Sequence, residues 1–174
     1  SNGAVELTAW DIDMSGSLSA GNAPMTIHGS KTEQTMGLGM TAKDMQITDT
    51  ELGSFTSTQG LTVGSSQTGG FLVHSLTTGN TASIGTLTMI ATRRGESVTF
   101  KSGASAFNKG ITVQAGEGVI FSAGATTQDS HTVINAGTGT LSIEGGNTLS
   151  TTDQRLTITA DDLSYNVGSI NAGG

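Results

Sequence analysis

Ile-Thr-Val-Gln-Ala at residues 111–115 is the clearest copy of a five-residue pattern, apolar-x-apolar-x-small, that recurs along the whole chain. Alternation places the first, third and fifth side chains on one face of a β-strand, and the small fifth residue leaves room for the backbone to turn. Seven copies are present, at residues 5–9, 38–42, 61–65, 87–91, 111–115, 132–136 and 156–160. Most of them are about two dozen residues apart, and a fixed period of that size indicates repeats that stack to bury their apolar faces.

A second short alternating segment follows each copy, so the repeat consists of two strands joined by a corner. These segments are residues 12–14, 45–47, 71–73, 98–100, 119–121, 141–143 and 163–165. A propeller blade needs about 40 residues or more for its four strands, whereas this repeat has the length of one coil of a parallel β-helix. The sequence therefore predicts an all-β fold, a parallel β-helix or β-solenoid of about seven rungs of roughly 24 residues, in a single domain over residues 1–174.

The register of the copies predicts two ladders in the core. One is apolar and the other consists of the small residues at the corner. The apolar ladder is expected to contain Leu7, Met40, Val63, Met89, Val113, Ile134 and Ile158. The first interval is longer than the others and predicts an inserted loop near residues 15–37, in which Met25-Thr26-Ile27 is either a third strand or part of the excursion.

Three copies share a longer signature, because residues 7–14, 40–47 and 158–165 superimpose without a gap. Asp11, Asp44 and Asp162 occupy the same place in this signature, at the corner, where an aspartate commonly caps a turn. A ladder that binds a hard cation is the alternative. It would need six or more oxygen ligands, and the middle rungs carry Gly or Thr at this place, so no metal site is predicted.

The sequence predicts no catalytic or cofactor-binding residues. His28, His74 and His131 fall at unrelated positions of the repeat, and no cysteine is present to join them in a metal site. Serines are numerous, but no Gly-x-Ser-x-Gly turn leads from a strand into a helix, as acyl transfer on an α/β-hydrolase would need. A non-enzymatic function is therefore expected, and a carbohydrate-active β-helix is the weaker alternative.

Trp10, Arg93 and Arg94 are the residues that could contact a partner. Trp10 stands at the variable corner position and is expected to point outward, where it could stack on a sugar or on a protein. Arg93-Arg94 is the only adjacent pair of basic residues in an acidic chain. The simpler interpretation of the pair is a solvated corner charge, and the alternative is a contact for an acidic glycan or another partner.

Composition excludes several classes of partner. Seven basic residues against fourteen acidic ones give a formal charge of −7, which provides no footprint for nucleic acid. No run of about 18 apolar residues is present that could span a membrane as a helix. The absence of cysteine together with the acidic balance fits a secreted or surface-exposed protein, although these features alone do not exclude a cytosolic one.

The rungs at residues 110–116 and 139–146 resemble the repeats of filamentous-haemagglutinin-type exoproteins and autotransporter passengers of bacteria. The resemblance extends over nearly the whole chain and implies a secreted, right-handed parallel β-helix at the cell surface that serves adhesion or surface display. The Asn-Pro-Asn-Gly secretion motif of the two-partner family does not occur. A secretion domain is therefore not implied.

The leading hypothesis is an extracellular structural or adhesive segment with no catalysis and with surface glycans as candidate partners. The alternative is a subunit that stacks head to tail into a filament or sheath. Both rest on the expectation that the terminal rungs lack caps, because an open row of strand edges recruits further strands. Those strands would come from another copy or from adjoining rungs of a parent chain.

Overall fold

The computed structural model describes residues 3–173, and short strands dominate it. Two one-turn helices, α1 (Asp49–Leu52) and α2 (Thr78–Thr81), lie between strands. Strand accounts for 46% of the chain and helix for 5%, which confirms the all-β prediction. In chain order the strands are β1 (Val5–Ala9), β2 (Leu18–Gly21), β3 (Met25–Gly29), β4 (Met36–Gly39), β5 (Met45–Ile47), β6 (Phe55–Ser57), β7 (Leu61–Ser65), β8 (Phe71–His74), β9 (Leu87–Ala91), β10 (Val98–Phe100), β11 (Ser105–Ala106), β12 (Ile111–Ala115), β13 (Val119–Phe121), β14 (Ala125–Thr127), β15 (Thr132–Asn135), β16 (Thr140–Ile143), β17 (Thr148–Thr151), β18 (Leu156–Thr159), β19 (Asp162–Ser164) and β20 (Ser169–Asn171).

The strands stack in parallel on three faces. The first sheet has the order β1-β3-β7-β9-β12-β15-β18, and the second has the order β5-β4-β8-β10-β13-β16-β19. The third face consists of the pair β2-β6 and the sheet β11-β14-β17-β20, with α2 in the gap between them. This is the predicted β-solenoid of about seven turns. We number its rungs 1 to 7 as residues 5–21, 25–57, 61–84, 87–106, 111–127, 132–151 and 156–171.

The predicted apolar ladder runs in register through the first sheet. Each member lies directly opposite the next across the parallel strands, and the five members between rung 2 and rung 6 are fully buried. The members at the two ends, Leu7 and Ile158, are only partly buried. The ladder consists of Leu7, Ile27, Val63, Met89, Val113, Ile134 and Ile158. The small-residue ladder is present beside it, with Ala91 opposite Ala115.

The prediction that residues 38–42 form a first-sheet strand is wrong. Leu38 belongs to β4 in the second sheet, and Met40, which was expected in the apolar ladder, is 75% exposed. Gly39 ends β4 with a φ of +85°, a conformation that favours glycine, and the chain turns outward there. Ile27 of β3 takes the place expected for Met40, so residues 15–37 are not an inserted loop and instead contain β2, β3 and the start of β4.

The real insertion is residues 40–52, which contain β5 and α1. β5 pairs in parallel with β4, only nine residues upstream, and takes the end position of the second sheet. Residues 12–14, predicted as a strand, therefore form no ladder. The carboxylate of Asp11 accepts the N–H of Gln46 at 2.9 Å, and the N–H of Met14 donates to Glu51 Oε1 at 2.9 Å. Side chains thus tie residues 11–14 to the insertion without a strand pairing.

The close return from β4 to β5 is held by Asp44. Its Oδ2 accepts the N–H of Thr35 at 2.9 Å and the hydroxyl of Thr35 at 2.8 Å. Asp11 and Asp162 likewise accept backbone N–H groups, from Gln46 and Leu163. Only Asp162 bonds a neighbouring residue, whereas Asp11 and Asp44 join segments 35 and 9 residues apart in sequence and so act as ties between turns.

Asp44 should make the stability of this region depend on pH. The hydrogen bonds from the Thr35 N–H and hydroxyl lower the pKa of Asp44, with a smaller contribution from Lys43. Since the folded pKa lies below the unfolded one, the stabilisation is present above the unfolded pKa and is lost as the pH falls through the folded pKa. We expect the Asp44→Asn variant to have a lower urea midpoint than the parent near pH 7, and the difference to be smaller at a pH below the unfolded pKa of about 3.9. Asp13→Asn, at an exposed position, is the control, and an equal difference at both pH values would contradict the prediction.

Candidate functional site

The corner between the first and second sheets carries all three residues that the sequence singles out. We call it the first corner, and it comprises residues 10–11, 30–35, 66–70 and 92–97 of rungs 1 to 4. Trp10 lies on rung 1, and Arg93 and Arg94 lie on rung 4. Three rung spacings separate them by about 14 Å. The fold therefore brings the three side chains to the same corner without bringing Trp10 and the arginines into contact.

Trp10 points outward, as predicted, and is 48% exposed. The Nζ atom of Lys31 lies 4.8 Å from the centroid of its ring, at the distance of a cation–π interaction. The backbone beneath the ring is fixed by Gln34, whose Nε2 donates to the carbonyl oxygens of Ala9 at 3.1 Å and Trp10 at 2.6 Å. Gln34 is itself 2% exposed, so a buried amide sets the position of this exposed aromatic ring.

The two arginines differ in their environment. Arg93 forms ion pairs with Glu33 of rung 2 and, at 3.1 Å, with Glu96 of its own turn. Its charge is compensated, and it links two turns of the corner. Arg94 is exposed and forms no ion pair within residues 3–173. Arg94 is therefore the arginine available to a partner, while Arg93 is part of the scaffold.

A cleft of about 360 Å³ opens between the corner turns of rungs 2 and 3. Its wall presents polar groups together with a slightly larger apolar surface, and its lining residues are Thr8, His28, Gly29, Ser30, Lys31, Thr32, Ser65, Ser66 and Gln67. The sequence analysis missed this site. Two polar triplets, at residues 30–32 and 65–67, could have indicated it. They lie at equivalent corners of neighbouring rungs, but this is visible only when residues 25–29 are recognised as the first strand of rung 2.

His28 is engaged within the wall of the cleft. Its Nε2 lies 3.1 Å from both Thr8 Oγ1 and Glu6 Oε1, and its Nδ1 lies 3.2 Å from the carbonyl oxygen of Gly29. These contacts orient the imidazole as part of a polar surface. The cations near the cleft, Lys31, Arg93 and Arg94, are equal in number to the carboxylates of Glu6, Glu33 and Glu96, and of these cations only Arg93 is in an ion pair. This balance suits an uncharged, polyhydroxylated ligand better than an anion.

Threonines form a row on the outer surface of the first sheet. The row passes through the second residue of each strand, and its members in rungs 2 to 7 are Thr26, Thr62, Thr88, Thr112, Val133 and Thr157. The next outward row is irregular, because it contains His28, Gly64 and Ile90. Gly64 has a φ of +94°, and a side chain at this position would collide with the carbonyl oxygen of Ile90. The surface therefore has one threonine column and lacks the second column that a flat Thr-x-Thr array requires.

Within residues 3–173 no group of three or more His, Cys, Asp or Glu side chains is placed to hold a metal ion. No helix in the described part of the chain is long and apolar enough to cross a membrane. Comparisons with protein-family models, with curated proteins and with solved structures found no match to the chain.

Proposed function

We propose that this chain is a structural and adhesive β-solenoid segment of an extracellular surface protein, and that it contacts a neutral surface glycan through the cleft at the first corner. The cleft is the observation that supports this function. Its volume of about 360 Å³ lies within the range of small-molecule sites, roughly 300 to 1,000 Å³. Its hydroxyl and amide groups can exchange hydrogen bonds with sugar hydroxyls.

The scaffold beneath the cleft favours recognition over catalysis. The lining residues stand on or beside strands whose registers are fixed by neighbouring rungs, so the polar groups are held in place before a ligand binds. His28 is held by contacts with Thr8, Glu6 and a backbone carbonyl. Trp10 and Arg94 stand at the borders of the corner and extend the surface that a longer glycan would contact.

Secretion is supported by composition and by resemblance. The chain has no cysteine and a formal charge of −7, and rungs such as residues 110–116 resemble those of bacterial exoproteins that display β-helices at the cell surface. Placement outside the cell would expose the first corner to glycans of a neighbouring cell or of the same surface. The proposal therefore joins location and contact chemistry in one hypothesis.

A glycan array of neutral and acidic oligosaccharides, followed by calorimetry on any hit, tests the proposal. We expect retention of neutral glycans, and about tenfold weaker binding by Ser66→Ala combined with Gln67→Ala, because hydrogen bonds are lost from the wall of the cleft. Thr126→Ala, at an outward position on β14 of the third face, is the matched control and should bind like the parent. The proposal would be overturned if the array retained no glycan, or if the double variant bound the glycan as tightly as the parent. Turnover of a bound glycan would instead support the carbohydrate-active alternative.

Head-to-tail stacking is the second candidate because rung 7 leaves large apolar side chains exposed. Leu163, Tyr165 and Val167 are 49%, 57% and 78% exposed. The strands β18, β19 and β20 are each the last of their sheets, so one row of their backbone groups faces the open end. Light scattering over a concentration series would show growth of open-ended assemblies if separate chains stack, because such a contact does not close on itself.

A further inference from the structure

The last rung of the solenoid repeats the first in sequence. Residues 156–165 align with residues 5–14 without a gap, and residues 168–173 align with residues 16–21 after one extra residue, Val167. The core positions match as Val5/Leu156, Leu7/Ile158, Ile12/Leu163, Met14/Tyr165 and Leu18/Ile170. Identical pairs are Thr8/Thr159, Ala9/Ala160, Asp11/Asp162, Gly16/Gly168, Ser17/Ser169, Ala20/Ala172 and Gly21/Gly173.

The two rungs take equivalent places on the first and third faces, whereas only rung 7 contributes a strand, β19, to the second sheet. β1 and β18 are both edge strands of the first sheet, and β2 and β20 both lie at ends of the third face. Rung 1 is covered on one side by rung 2, whereas the same side of rung 7 is open. The exposed Leu163 and Tyr165 therefore lie on the side of rung 7 that corresponds to the covered side of rung 1.

The contacts between rungs 1 and 2 show what could cover that side. The N–H of Val5 donates to the carbonyl of Pro24 at 3.1 Å, and the N–H of Ser30 donates to the carbonyl of Ala9 at 2.9 Å. The Oγ1 of Thr8 lies 3.1 Å from His28 Nε2. Rung 7 can reproduce each of these contacts, because Leu156, Ala160 and Thr159 stand at the equivalent places.

The corner position that differs between the rungs favours the same neighbour. Trp10 of rung 1, which carries Lys31 over its ring, is replaced in rung 7 by Asp161. A second rung 2 on rung 7 would therefore place a lysine beside a carboxylate, an attractive pair. A rung 1 stacked there would instead set its Asp11 against Asp162, since these residues align in register, and like charges in register repel.

We infer that the open side of rung 7 is a docking surface for a second copy of residues 22–57, joined in tandem so that rung 7 serves as the first rung of the next copy. The offset between equivalent residues is 151 up to Tyr165 and 152 from Gly168 onward. The solenoid then has a period of six rungs, and each period repeats the insertion of β5 and α1. This inference is independent of glycan binding.

A tandem chain tests the inference. Residues 1–173 are followed directly by a second copy of residues 22–173, and hydrogen exchange is compared with that of the single chain. We expect amides of β18 and β19 in the first copy to exchange about tenfold more slowly or better, since a covered strand opens less often than an edge strand. The control joins residues 1–173 to residues 5–173, which places rung 1 after rung 7.

A second measurement addresses the docking surface itself. Leu163→Lys should change the urea midpoint of the single chain little, since the side chain is 49% exposed, and should lower it clearly in the tandem chain. The inference is supported if the amides of β18 and β19 are more protected from hydrogen exchange in the tandem chain than in the control chain. The inference is overturned if these amides are equally protected in the tandem and control chains, or protected in neither. It is also overturned if the tandem chain aggregates or its last rung unfolds.

Discussion

Replacing Ile134 with aspartate is expected to unfold the solenoid or to prevent its soluble expression. Ile134 is fully buried in β15, between Val113 of rung 5 and Ile158 of rung 7. A carboxylate there has no hydrogen-bond partner, and an unpaired buried charge is among the few mechanisms that cost over about 4 kcal/mol. Total stabilities of roughly 5 to 15 kcal/mol leave little after such a loss. Urea unfolding followed by far-ultraviolet circular dichroism measures it.

Val133→Asp is the matched control, because Val133 is the adjacent residue and faces outward in the threonine row, between Thr112 and Thr157. Its cost should stay near about 1 kcal/mol, as for a polar replacement on a strand surface. The deficit of the Ile134→Asp variant should shrink as the pH falls, since burial raises the pKa of a carboxyl and protonation then removes the charge. A stable, soluble Ile134→Asp variant at neutral pH would show that the register is wrong.

Periodicity was sufficient to predict the fold where each repeat has one possible register. From rung 3 onward the first strand of every repeat lies where the pattern places it, because alternation together with a small corner residue admits no other alignment. Residues 36–47 are different. Leu38-Gly39-Met40 alternates like a strand of the first sheet, yet Gly39 turns the chain and leaves Met40 exposed. The competing strand Met25–Gly29 ends in Gly rather than Ala and was harder to recognise.

The insertion could not be predicted from local pattern. β5 pairs with β4 across a connection of only a few residues, although parallel strands usually need a crossover of about a dozen or more. The connection is possible here because the side chain of Asp44 bonds both the backbone and the hydroxyl of Thr35. A single aspartate with this role cannot be distinguished in sequence from the corner aspartates at positions 11 and 162.

The candidate site was only partly visible in the sequence. Trp10 and Arg94 were identified because an aromatic ring and a pair of basic residues are unusual in this chain. The cleft was not, since most of its lining residues are Ser, Thr and Gln, which occur throughout the chain, and its shape depends on the pairing of β3 with β7. The ion pair between Arg93 and Glu33 could not be foreseen for a similar reason, because the two residues are 60 apart in sequence and become neighbours only when the turns stack.

Truncating Phe121 to alanine should cause the largest loss among changes that add no charge. Phe121 is fully buried in β13 and stacks on Phe100 of rung 4, with ring centroids 4.4 Å apart and an angle of 16° between the planes. Phe107 meets the edge of Phe100 at 6.4 Å and completes the cluster. A buried Phe→Ala change costs about 3 to 5 kcal/mol, and the lost aromatic pair adds about 0.5 to 1.5 kcal/mol.

Ile120→Ala is the control for this change, because Ile120 is the preceding residue of the same strand and faces outward. Its truncation should lower the urea midpoint by less than half as much, since part of the removed surface is already in contact with water. The three rings join rungs 4 and 5, so the Phe121→Ala variant should lose protection from hydrogen exchange first in β10 and β13, ahead of the strands of the first sheet. Equal losses in the two variants would place Phe121 on the outer face and would contradict the orientation of the second sheet.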